Sequence, residues 1–110
     1  MVATISGRMA IAGTLLFSAS VIGACESQEG RRVYEAACAS CHEVGAHGAP
    51  RAGSNGEWAA RIARGKESLY RSAIDGRTNG DRIMPPRGGE RRLTDAEVRA
   101  AVDYLVDGAR

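Results

Sequence analysis

Two cysteines three positions apart, with a histidine directly after the second, stand at Cys38-Ala39-Ser40-Cys41-His42. No other stretch limits the fold so strongly. Side chains at i and i+3 share one side of a helical turn, so both thiols are expected on one face. The rest of the chain offers little to build a core from. It has one tryptophan and three tyrosines, and no phenylalanine after Phe17. A domain this small rarely buries enough apolar surface by itself and is usually held by a disulfide, a metal or another staple.

The 110 residues allow one domain at most, and the first 24 read as something apart from it. Arg8 is the only charge before Glu26, and Met9 to Ala24 is apolar or small throughout. A positive start, an apolar run and small residues at a cleavage point make an export signal. The run is short of the ~20 residues needed to span a bilayer. Ile22-Gly23-Ala24-Cys25 resembles the lipobox of bacterial lipoproteins, which makes Cys25 the expected lipid-bearing first residue of the mature chain. Ordinary cleavage after Ala24 is the alternative and would leave a free thiol. The expected layout is a signal over 1–24, a short extended tether over 25–29 and a domain over 30–110. The protein is then expected on the periplasmic face of a bacterial membrane, held by lipid, or else soluble in the periplasm. Four or five extended tether residues reach roughly 15 Å.

The remaining sequence reads as an all-α domain. "GRRVYEAACASCH" places Val33, Ala36 and Ala37 on one helical stripe with Tyr34 beside them. "SNGEWAARIARG" opens with Ser54 three residues before Glu57, a capping-box pattern, and puts Trp58, Arg61 and Ile62 on one face before Gly65. "KESLYRSAIDG" aligns Leu69, Ala73 and Ile74 and stops at Gly76. Thr94 and Glu97 form a second capping box, followed by Val98, Ala101, Val102 and Leu105, with Gly108 as the expected end. Loops rich in Gly and Pro fill 43–53 and 76–92, and loops that long in so small a domain need something to wrap. Net charge is +2, falling to +1 once Arg8 leaves with the signal, and no polybasic run is present. Nucleic acid is therefore not an expected partner.

Cys-x-x-Cys-His is the attachment signature of a c-type haem. Thiols one turn apart can add across the two vinyl groups, and the next residue, His42, then offers its imidazole to the iron. The competing readings are weaker. A redox dithiol normally sits near a βαβ pattern, and none is visible. A zinc site wants four ligands, and only Cys38, Cys41, His42 and His47 are on hand, crowded into ten residues. A Cys38–Cys41 disulfide would leave His42 without a purpose. For the other face of the iron, His47 lies too close in sequence to His42. Met84, in "RIMPPRGG", is the only methionine after Met9. Its thioether is a soft ligand that favours ferrous iron, and the following Pro85 and Pro86 stiffen its backbone. Ordinary core packing is the alternative role for this methionine.

From Gly30 to Gly108 the chain resembles a class I cytochrome c, most closely the small bacterial cytochrome c-five group. The resemblance rests on Gly30 and Tyr34, Cys38-Ala39-Ser40-Cys41-His42, Gly48-Ala49-Pro50, Trp58 with Arg61, Met84-Pro85-Pro86, Gly88-Gly89 and Ala101-Val102-Asp103-Tyr104. It implies a small class I cytochrome c fold, three to five helices around one covalently bound haem c. It implies that the first and last helices cross at Gly30, Tyr34 and Tyr104. It implies that Pro50 offers its carbonyl to His42, and that Trp58 and Arg61 lie near the haem propionates. Relatives often carry an extra cysteine pair beyond the methionine loop, but "GGERRLTD" has none. The expected function is one-electron transfer between membrane redox complexes by a monomer with His42 and Met84 on the iron. The alternatives are a haem-bearing subunit of a larger dehydrogenase or oxidase, and a peroxidase-like haem enzyme. Five arginines between Arg77 and Arg92 outnumber Asp81 and Glu90, and they are expected to face an acidic redox partner.

Overall fold

The computed structural model describes residues 22–110, with Gly7 and Gly13 besides. The export signal expected over 1–24 lies outside the described residues, apart from Gly7, Gly13 and the backbone of its last three. Among the described residues five α-helices follow in order: α1 (Ile22–Ala37), α2 (Ala39–His42), α3 (Asn55–Ala63), α4 (Lys66–Asp75) and α5 (Asp95–Gly108). Short 3₁₀ turns occupy Ala46–Gly48 and Pro86–Gly89. Among the described residues no helix is long and apolar enough to cross a membrane.

The core forms where α1 crosses α5. Gly30 makes the crossing close, because a Cβ there would run into the Ala100 carbonyl and meet Tyr104 Cβ at 3.2 Å. Tyr34 and Tyr104 pack beside it with ring centroids 5.3 Å apart. The implied contact of a glycine with aromatics is therefore present. Val33, Tyr34, Val98, Leu105 and Val106 are buried here. The buried stripe of α1 is 30-33-34, continuing to half-buried Ala37. Ala36, expected on it, is exposed, because it falls to the side of an i, i+3, i+4, i+7 series.

Helix α1 starts at Ile22, eight residues before Gly30. Residues 25–29, expected as an extended tether, are helical. Glu, Gln and Ala dominate Ala24–Glu29 and favour that state, and Glu29 faces Arg32 one turn on at 3.7 Å.

Helix α5 begins with the expected capping box. Thr94 Oγ1 accepts from Glu97 N at 3.2 Å, and Glu97 Oε2 accepts from Thr94 N at 2.8 Å. Ser54 does not form the other box. Its backbone is extended as an N-cap requires, but its side chain makes no cap bond. The Glu57 carboxylate goes instead to Arg51, which offers both its N–H and its guanidinium.

The segment expected as loop between α4 and α5 contains a two-stranded antiparallel hairpin, β1 (Arg77–Asn79) and β2 (Arg82–Met84). Thr78 pairs with Ile83 and Arg77 with Met84, and Gly80 turns the chain with positive φ. Strands of three residues are too short to show alternation in sequence.

Candidate haem-binding site

A cavity of about 390 Å³ lies between the α1/α5 crossing and the hairpin. Cys38, Cys41, His42, Pro50, Trp58, Arg61 and Met84 all line it. Of the site residues expected from sequence, only Cys25 lies elsewhere, exposed on the first turns of α1.

The wall that carries the attachment motif is built by α1 breaking at Cys38 and restarting as α2. His42 N donates to the Cys38 carbonyl at 3.0 Å, so the motif makes one tight turn with both thiols half-buried. A redox-active dithiol depends on a thiolate stabilised below the ordinary range. Here burial, with Cys41 alongside, pushes the Cys38 thiol up to about 11. No set of three or more His, Cys, Asp or Glu side chains gathers for a metal among the described residues. The dithiol and zinc readings both lose ground.

His42 is buried, and its Nδ1 lies 2.8 Å from the Pro50 carbonyl oxygen. A carbonyl only accepts, so Nδ1 carries the proton. Among the described residues Nε2 makes no bond, and it is not sealed in the packing, since no buried side-chain nitrogen or oxygen there lacks a partner. It opens on the cavity that His42 lines. This is the arrangement that fixes the tautomer of a histidine ligand and raises its basicity. Trp58 packs against the ring at 5.8 Å between centroids.

The Trp58 N–H donates to the Arg51 carbonyl at 2.9 Å, so the side chain forms cavity wall and anchors the 50–52 segment. Arg61 lines the cavity and folds back to donate to the Glu57 carbonyl.

Met84 lines the same cavity, half-buried at the end of β2. Gly76 allows this. A Cβ on it would lie 2.7 Å from the Met84 carbonyl and 2.8 Å from Pro86 N, so only glycine lets α4 end against the methionine. Gly88 likewise sits on the Ala37 carbonyl, docking the turn after Met84 onto the end of α1. The sequence marked Gly76 only as a helix stop, and its second role carried no signal. His47, the other nitrogen candidate, is exposed in the 46–48 turn with a left-handed backbone, φ 53°.

The lining suits haem. Val33, Leu69, Val98 and Leu105 supply apolar walls, and among the described residues five arginines line the cavity and no Asp or Glu does. That is the environment for an apolar plate bearing two carboxylates.

Comparison with known proteins agrees. A family model described as "Cytochrome C oxidase, cbb3-type, subunit III" matches residues 26–105. The chain belongs to the cytochrome c family, as a small class I c-type cytochrome that carries electrons on a covalently bound haem c. It is 39% identical over 97 residues to cytochrome c-555 of Chlorobaculum tepidum, covering 88% of this chain and 90% of the relative. It is 40% identical over 81 residues to cytochrome c-555 of Chlorobaculum thiosulfatiphilum, covering 74% and 94%. A solved cytochrome c in an electron transfer complex with nitrite reductase superposes with a TM-score of 0.67 at 38% identity, over 74% of this chain and 95% of that one.

Proposed function

We propose that the protein is an exported one-electron shuttle whose haem is attached at Cys38 and Cys41, with His42 and Met84 as the axial ligands. The observation that carries this reading is the His42 Nδ1–Pro50 bond of 2.8 Å, which leaves Nε2 to the cavity that Met84 also lines. The haem supplies the redox change. The chain orients the imidazole, offers the Met84 sulfur to the same cavity and surrounds both with apolar wall. With His42 and Met84 both holding the iron, no place on the metal would stay open to substrate, and outer-sphere electron transfer would be what remains.

Cys25 as the lipid-bearing residue, and with it the periplasmic face of a membrane, belongs to the same proposal. Its support is the sequence Ile22-Gly23-Ala24-Cys25 and the exposure of Cys25. Since 25–29 are helical, the spacing from Cys25 to Gly30 is roughly 7 Å at 1.5 Å per residue, half the extended reach. The partners are redox proteins, membrane complexes among them. The solved relative's complex with nitrite reductase supports a protein partner as such. The family description drawn from an oxidase subunit favours a second reading, a haem-bearing subunit of a larger oxidase.

Visible spectra of the oxidised and reduced protein, with a pyridine haemochrome assay, test the centre. A low-spin haem that resists acid–acetone extraction is expected. Extractable haem, or haem still covalently bound after Cys38→Ser and Cys41→Ser together, overturns the reading. Native mass spectrometry of Cys25 tests the lipid, and gel filtration from solubilised membrane separates shuttle from subunit.

A further inference from the structure

The segment Pro50-Arg51-Ala52 joins His42 to the start of α3 through two successive peptide groups. In the first, the Pro50 carbonyl accepts from His42 Nδ1 at 2.8 Å, and the N–H at the other end of the same amide, that of Arg51, donates to Glu57 Oε2 at 3.0 Å. In the second, the Arg51 carbonyl accepts from Trp58 Nε1 at 2.9 Å, and the Ala52 N–H donates to the His42 carbonyl at 2.7 Å. The imidazole and backbone of His42 are thus each one peptide away from a side chain of α3.

A peptide group polarises as a unit. A carboxylate accepting from its N–H end pushes electron density toward its carbonyl oxygen, which then accepts more strongly. Consecutive hydrogen bonds reinforce one another in this way, and a bond to an ionised acceptor is stronger than a neutral one. Glu57 is held in the charged form, since the bond from the Arg51 N–H keeps its carboxyl below the usual carboxylate range. Its contact with the Arg51 guanidinium, at 3.3 Å on an exposed side chain, is a weak surface pair and does not cancel the charge.

We propose that Glu57 is a positioning residue for His42, acting through the Pro50–Arg51 peptide to make the imidazole more electron-rich and so lower the potential of the bound haem. The proposal rests on the reading of His42 as ligand. An electron-rich ligand stabilises ferric iron more than ferrous, which gives the sign. Histidine ligands commonly lean on a carboxylate directly; here one peptide group stands between.

The test uses the full haem-bearing protein. Glu57→Gln keeps an oxygen acceptor and loses the charge, and its midpoint potential is expected to rise. Glu57→Ala is expected to rise further, and in the reduced protein its His42 Nδ1 proton should exchange with solvent several-fold faster by NMR. Both should keep the parent's low-spin spectrum. Glu43→Gln is the control, since it removes a negative charge from the residue next to His42 but outside the relay. Unshifted or lowered potentials in both Glu57 variants overturn the proposal. So does a Glu43→Gln shift as large as that of Glu57→Gln, because loss of nearby charge would then suffice. Failure of the ligand reading looks different, since the parent itself would lack the spectrum of a covalently bound low-spin haem.

Discussion

A thioether binds iron weakly, and Met84 presents one from strands only three residues long. As the proposed sixth ligand it has a distinct signature. Met84→Ala is expected to lower the potential, abolish the far-red sulfur-to-ferric band and admit cyanide or carbon monoxide. A variant with the parent's spectrum and potential would reduce the methionine to packing. His42 and Met84 stand out in the sequence as candidate ligands because their chemistry is specific to few residue types, and the fold brings both to one cavity. The resemblance marks Trp58 as a residue near the haem, but nothing in the sequence says that its N–H goes to the Arg51 carbonyl. Glu57 was misassigned for a related reason. A capping-box pattern names a carboxylate and its nearest N–H, and a competing N–H six residues back is invisible until the chain is folded.

Helix α5 and its crossing with α1 carry the scaffold. Gly30→Ala is expected to cost about 1–3 kcal/mol, as overpacking does in a well-filled contact, because the added carbon meets the Ala100 backbone, which cannot turn aside. Thermal or urea denaturation measures it, and a loss near zero would mean that the helices separate freely. The capping box adds a pH dependence. The Thr94 N–H holds the Glu97 carboxyl below its usual range. That contribution is present above the unfolded carboxylate's pKa and is lost as pH falls through the lower folded one. Glu97→Gln should therefore destabilise near neutral pH, and the gap to the parent should narrow in acid; a gap constant with pH would remove the charge from the account. The long helices were readable from spacing and caps. The hairpin was not, since its pairing depends on the register of Arg77 with Met84 rather than on any periodic pattern.

Across the whole molecule, charge is sorted by place. The arginines between Arg77 and Arg92 do not act as one group. Arg87 donates to the Leu93 carbonyl at 2.8 Å and to Asp95 at 2.6 Å, so it braces the turn after Met84. Arg82 lies against Gly48 across the cavity edge. Arg77, Arg82, Arg91 and Arg92 are all exposed and make no ion pair among the described residues. Arg77 and Arg82 line the cavity while Arg91 and Arg92 do not, so the last two test the proposed docking to an acidic partner without touching the site. Electron-transfer rates to such a partner should fall as salt rises, and fall further in Arg91→Glu, Arg92→Glu. Rates indifferent to both would leave them as plain surface. The cavity has a consequence beyond the iron. Among the described residues, seven of the ten buried apolar ones also line it, Val33, Trp58, Leu69 and Leu105 among them, so the core is assembled around the cavity proposed for the cofactor rather than beside it. A group attached covalently stays on the unfolded chain, but its apolar faces leave water only when the chain folds around it, and that burial adds to stability. Chains that miss attachment during biogenesis would spend far longer open to proteases than finished ones, and the cell's stock of this protein would then follow its supply of haem.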